Sequence, residues 1–120
     1  MAHPVMWFEV LGNDSDRLRT FFGSLFGWSF EADNPIKYGS TDTKAGRGIP
    51  GGIGQVYPGT RSWVTFYVET PSVTDSLTRA EALGGKVVLP RTVMNDATFG
   101  VFEDPEGHTI GLVEARGGAQ

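Results

Sequence analysis

The sequence predicts an α+β protein built from two tandem β-α-β-β-β modules, and three observations carry that prediction. A pattern near the start returns in the same order fifty-eight residues later: Phe8, Val10, Leu25 and Gly27 line up with Phe66, Val68, Leu83 and Gly85. In each copy a short apolar run (residues 6–10 and 63–68) leads through a polar cap into an amphipathic helix that a glycine stops. Three short extended runs then follow each helix. A period this long in 120 residues means one duplicated supersecondary unit, because stacked arrays need about three repeats to bury a continuous core.

The first helix follows from Leu18, Phe21, Phe22, Leu25 and Phe26, which fall at i, i+3, i+4, i+7 and i+8 and form one stripe on a 3.6-residue period. Asn13 or Asp14 caps it, Asp14 and Asp16 put negative charge at the positive end of its dipole, and Gly27 ends it. The second helix is expected to open with Thr70 as N-cap and Pro71 at its first position, where a missing N–H costs nothing. It carries Val73, Leu77 and Ala80 inward and stops at Gly84-Gly85.

Extended runs are expected at residues 29–32, 36–40 and 52–56 in the first copy and at 86–89, 99–103 and 109–114 in the second. Asp104-Pro105-Glu106-Gly107 has the chemistry of a type I turn, so the last two strands form a hairpin. Residues 41–50 read as a mobile Gly-rich loop, and the tail 117–120 as disordered. The domain assignment is a single domain over 1–120, with module one at about 5–56, a linker at 57–60 and module two at about 61–115.

Composition narrows the function. At 39% hydrophobic the chain has the core of one ordinary domain. A formal charge of −4 with singly scattered basic residues argues against nucleic acid, which selects clustered Lys and Arg. The absence of cysteine excludes disulfides, thiolate metal sites and a cysteine nucleophile, and fits a reducing compartment. With no apolar stretch near eighteen residues and no leader pattern, the chain is expected to be soluble and cytoplasmic, with no membrane partner.

Phe8-Glu9-Val10 in the first strand, Phe21-Phe22 followed by Leu25-Phe26-Gly27-Trp28, and Glu103-Asp104-Pro105-Glu106-Gly107 followed by Ile110-Gly111-Leu112-Val113-Glu114 make the chain resemble the vicinal oxygen chelate superfamily. This is the group of glyoxalase I, bleomycin-resistance proteins and extradiol dioxygenases. The resemblance spans roughly residues 5–115 and implies a cupped, half-open mixed sheet barrel with the helices outside and a ligand cavity inside. Enzymes of that group hold a divalent metal with His and Glu from strands of both modules. By the resemblance those positions fall on Val5, Gly52, Trp63 and Gly111, none of which supplies imidazole nitrogen or carboxylate oxygen. Moving to Trp7 or Thr65 recovers no ligand. The expectation is therefore no metal and no cofactor.

Two residues remain as candidates for acid or base chemistry, Glu9 in the first strand and His108 just past the turn. His3, His108, Glu9 and Glu114 all have an ordinary reading as solvated polar residues. Candidate ligand-binding residues are Trp7, Trp28, Tyr38, Trp63, Tyr67, Phe99 and Phe102, which lie on or beside predicted strands. Alternation along each strand turns a subset of them inward, with Trp7 and Trp63 foremost, while the others pack helices onto the sheet. The leading expectation is a bleomycin-resistance-like protein that binds a small organic ligand in a metal-free aromatic pocket, as a homodimer and without catalysis. The alternatives are an enzyme of the same fold (lyase, isomerase or dioxygenase), with Glu9 or His108 as acid or base, and a module that only dimerises through sheet edges.

Overall fold

A computed structural model of the chain describes residues 2–115 except 35 and 95, so the predicted disordered tail at 117–120 lies outside the described residues. Among the described residues the protein is mixed α+β: β1 (Val5–Gly12), α1 (Ser15–Phe26), β2 (Gly39–Thr41), β3 (Gly51–Gln55), β4 (Trp63–Thr70), α2 (Val73–Ala82), β5 (Lys86–Met94), β6 (Ala97–Glu103) and β7 (Thr109–Glu114). No helix among the described residues is long and apolar enough to cross a membrane.

The chain divides into two compact units, one of residues 7–64 and one of the described residues of 1–6 and 65–120. The boundary falls inside β1 and β4. Residues before β1 belong with the second unit because the Pro4 carbonyl accepts the Glu69 N–H at 2.9 Å and His3 Nδ1 lies 3.1 Å from the Glu69 carbonyl.

In the unit of residues 7–64 the strands are ordered β2-β3-β1. β1 runs parallel to β3, with Phe8 opposite Gly51 and Glu9 opposite Gly52, and β2 runs antiparallel to β3. Helix α1 starts at Asp14, whose carboxylate accepts the Arg17 N–H at 3.1 Å, and stops at Gly27 in a left-handed conformation (φ +74°). Leu18 fills the space over Gly12, and Trp28 gathers Phe8, Phe22, Phe26 and Phe30 around itself, with ring centroids 5.0–6.5 Å away.

The predicted apolar stripe of α1 is only partly covered. Phe21, Leu25 and Phe26 remain 57%, 60% and 55% exposed, and it is Trp28, beyond the helix, that packs on the Phe8 ring of β1. The extended run expected at 29–32 reduces to a single bridge between Glu31 and Ser40, and the run at 36–40 shortens to β2. The cause is local: the nitrogen and the oxygen of the Asn34 side-chain amide both bond the Tyr38 backbone, and Lys37 turns left-handed (φ +54°), so the chain reverses where a strand was expected. Residues 57–60 form a turn closed by Thr60 N–H and Oγ1 on the Tyr57 carbonyl at 3.1 and 2.7 Å.

In the second unit the order is β4-β7-β6-β5, with β4 parallel to β7 and the other pairs antiparallel. The N-cap of α2 is Ser72, whose hydroxyl accepts the Asp75 N–H at 3.1 Å, in place of the expected Thr70. Thr70 closes β4, and its hydroxyl turns to Ser76 Oγ at 2.6 Å. Val73, Leu77 and Leu112 form the core, with Val68, Val87 and Phe102 packed against it. β5 is longer than the run at 86–89 and tolerates Pro90 because it is an edge strand with register shifts on both sides of Leu89. The turn after β6 forms as expected, with the Gly107 N–H on the Asp104 carbonyl at 2.9 Å.

Candidate ligand site around Glu9

Alternation along β1 sends Phe8 toward Trp28 and α1, and therefore Trp7, Glu9 and Leu11 to the opposite face. Glu9 is only 3% exposed. A buried carboxylate must be matched by donors, and this one is: Trp63 Nε1–H donates to Oε1 at 2.8 Å and the Tyr38 hydroxyl donates to Oε2 at 2.8 Å. Trp7 Nε1–H in turn donates to the Tyr38 oxygen at 2.9 Å. Tyr57 sets its ring edgewise to Trp63, with centroids 6.0 Å apart. One indole and one phenol thus donate to the carboxylate, and the second indole donates to that phenol.

The opposing strand makes room for this array. β3 reads Gly51-Gly52-Ile53-Gly54, and the Tyr38 ring lies where a Cβ on Gly52 or Gly54 would stand. Burial, and next the Glu9 carboxylate, push the Tyr38 phenol far above its ordinary range. The same two causes push Tyr57 up to about 12. Both phenols are therefore neutral at physiological pH, and Tyr38 donates its hydrogen to Glu9.

These positions bear on the metal implied by the resemblance. Gly52 has no donor, and its side-chain space is filled by Tyr38; Trp63 offers only an N–H, directed at Glu9. In the second unit Val5 is 43% exposed, and the space over Gly111 is filled by the Tyr67 ring. No group of three or more His, Cys, Asp or Glu able to hold a metal ion exists among the described residues. The residues present do not fit a divalent ion.

Of the predicted site residues, Trp7, Glu9, Tyr38 and Trp63 come together. Trp28 lies in the aromatic cluster against α1, and Phe102 packs into the α2 core. Tyr67 and Phe99 are buried in the second unit, at 5% and 8% exposure. His108 is an exposed member of its own turn, with Nδ1 2.9 Å from an Asp104 carboxylate oxygen. Sequence reasoning missed Tyr57, Asn34 and Arg19. It also gave Glu9 an ordinary solvated reading, although Trp7 and Leu11 at i±2 were the signal that its face is apolar.

Comparison with known proteins agrees with this architecture. Two curated relatives, each called "Putative glyoxylase CFP32", from Mycobacterium bovis and Mycobacterium tuberculosis, are 29% identical over 119 residues. The alignment covers 91% of this chain but 44% of theirs, so the chain spans less than half the length of these relatives. Among solved structures, a glyoxalase/bleomycin resistance protein/dioxygenase superfamily member from Vibrio splendidus 12B01 aligns with a TM-score of 0.61 at 16% identity, over 94% of this chain and 98% of that one. Methylmalonyl-CoA epimerase from Mycobacterium tuberculosis aligns with a TM-score of 0.62 at 12% identity, over 92% and 86%. At these identities the structural matches speak to the fold alone. A sequence profile described as "Glyoxalase-like domain" matches residues 8–113, and the chain accordingly belongs to the glyoxalase-like domain family.

Proposed function

We propose that the protein binds a small, planar organic ligand against the Trp7–Glu9–Tyr38–Trp63 face, without a metal ion and without catalysis. The observation that carries this reading is the Tyr38 ring seated over Gly52, which puts an aromatic wall where a metal-dependent relative would need a ligand. The wall has a sign. The Trp63 indole and Tyr38 phenol hydrogens are taken up by Glu9 and the Trp7 indole hydrogen by Tyr38, so a ligand meets ring faces. Ring faces attract positive charge and donors, so the ligand is neutral or cationic. A homodimer in the cytoplasm is the working assembly and location.

The test is a tryptophan-fluorescence titration with three probes of matched shape: N-methylquinolinium, quinoline and 2-naphthoate. Saturable quenching by the cation or the neutral ring, with 2-naphthoate weakest, is the expected result. Quenching led by 2-naphthoate would reject the charge preference. A melting screen with Zn²⁺, Ni²⁺, Mn²⁺ and Fe²⁺ should show no shift, and one tightly held ion per chain would overturn the metal-free reading.

Glu9 supports a second reading, an enzyme that uses the buried carboxylate as acid or base. Glu9→Gln separates the two. Loss of turnover with probe binding retained would favour the enzyme.

A further inference from the structure

Tyr38 is held from behind. Its backbone is clamped on both sides by one side chain: the Tyr38 N–H donates to Asn34 Oδ1 at 2.9 Å and Asn34 Nδ2 donates to the Tyr38 carbonyl at 2.8 Å. One residue earlier, Arg19 of α1 donates from Nη1 to the Lys37 carbonyl at 3.1 Å and to the Ile53 carbonyl at 3.3 Å. Its Nη2 pairs with Asp16, one turn back on the helix. The Arg19 side chain is only 12% exposed, and its Cδ lies in the space that a side chain at Gly39 would occupy.

Lys37 adopts the left-handed conformation (φ +54°), which a lysine does not favour and which a neighbouring contact must hold in place. The Arg19 bond to the Lys37 carbonyl is one such contact, beside the Lys37 N–H on the Asn34 carbonyl at 3.1 Å. A guanidinium suits the role because its planar fork reaches two carbonyls and a carboxylate at once, which an ammonium cannot do in this geometry.

We propose that Arg19, together with Asn34, is a positioning residue for the Tyr38 phenol, setting from the helix side of the sheet the hydrogen-bond chain that runs Trp7 to Tyr38 to Glu9 on the other side. The chain of cause is short. Arg19 fixes Lys37, the left-handed Lys37 fixes the direction in which Tyr38 leaves the backbone, and Asn34 fixes its height over Gly52. The Tyr38 hydroxyl then meets Glu9 Oε2 at 2.8 Å while accepting from Trp7 at 2.9 Å. Arg19 touches none of these atoms. The inference rests on the ligand reading only for its use, because the geometry it describes exists without a ligand.

The three tryptophans supply a direct readout, since Trp7, Trp28 and Trp63 give three indole N–H resonances, assignable from single Trp→Phe variants. Spectra are recorded for wild type, Arg19→Gln and Arg19→Lys, each also in a Tyr38→Phe background. Arg19→Gln should move the Trp7 resonance upfield, the direction of a weakened hydrogen bond, and speed its exchange with solvent about tenfold, the scale of one lost bond. Arg19→Lys, able to keep one carbonyl, should fall between, and Trp28 should stay in place. With Tyr38→Phe already present, Arg19→Gln should add nothing at Trp7.

Equal movement of Trp7 and Trp28 would mean general loosening and would overturn the proposal. So would a full Trp7 response in the Tyr38→Phe background. Because this experiment uses no ligand, its outcome is independent of the fluorescence titration, and the two readings fail separately. Asn34→Ala gives a second route to the same answer should Arg19→Gln not fold.

Discussion

Trp63 donates its indole N–H to Glu9 Oε1 at 2.8 Å across fifty-four residues of chain, which ties the start of β4 to the middle of β1 through one buried, charge-assisted bond. Removing the donor takes one hydrogen bond from a buried carboxylate. Trp63→Phe should therefore cost about 1–3 kcal/mol beyond its packing loss. Glu9→Gln in the Trp63→Phe background should recover part of that cost, because an amide needs less of its hydrogen bonding met than a carboxylate. Denaturant melts of the four-member cycle measure both numbers.

The pH limits of stability follow from groups shifted in opposite directions. Tyr57, pushed up to about 12 from an ordinary 10.0, keeps its proton in the fold at pH values where the unfolded chain has lost it. Its contribution is complete below about pH 10 and disappears as pH rises toward 12, a loss on the order of 1–2 kcal/mol. Tyr57→Phe should flatten that part of the alkaline limb. At the other end, backbone and side-chain bonds from His108 hold Asp104 below its ordinary range, and Arg91 with the Val73 N–H does the same for Glu114. Depressed carboxylates stabilise at neutral pH, and that support is lost as acid protonates them. Asp104→Asn should make the acid limb shallower in a pH series of thermal melts.

Thr41 ends β2 at 5% exposure with an Oγ1 that has no hydrogen-bond partner among the described residues. Valine has the same shape without the stranded hydroxyl. Thr41→Val should raise stability by about 1 kcal/mol, read as a higher denaturation midpoint at unchanged slope.

Gly52 and Gly111 sit in separate units, yet each gives its side-chain space to a tyrosine, Tyr38 in one case and Tyr67 in the other. Gly52→Ala and Gly111→Ala should each cost about 1–3 kcal/mol through displacement of the ring. Gly52→Ala alone should also shift the Trp7 indole resonance, because only Tyr38 carries that hydrogen bond. Thermal melts and indole spectra of the two variants separate the effects.

Much of the fold was legible because it depends on periodicity and caps. Both helices, the Asp104 turn and β7 all follow from local residue chemistry. The N-cap of α2 was misplaced by two residues because Thr70-Pro71-Ser72 offers two hydroxyls, and only the end of β4 decides between them. The strand expected at 29–32 failed because Asn34 and Lys37 make a reversal whose bonds are side chain to backbone, which hydrophobic periodicity does not register. The candidate site was legible as a set of aromatics and illegible as an arrangement. Trp28 and Trp7 look alike in the sequence, but Trp28 follows the glycine stop of α1 and packs on that helix, whereas Trp7 lies in β1 on the face opposite Phe8 and meets Tyr38. Arg19 carried only the signal of an i,i+3 pair with Asp16, because its other partners are carbonyl oxygens.

In β3 the informative property of Gly52 is an absence, a missing side chain that lets a ring from elsewhere in the chain lie down. Such a pair changes over evolutionary time only as a pair. A lineage that acquired a carboxylate at position 52 would first have to shrink Tyr38, and in doing so would take a hydrogen-bond partner from Trp7 and from Glu9 together. Tyr38 and Gly52 should therefore co-vary, and relatives with an acidic residue at 52 should carry a small residue at 38.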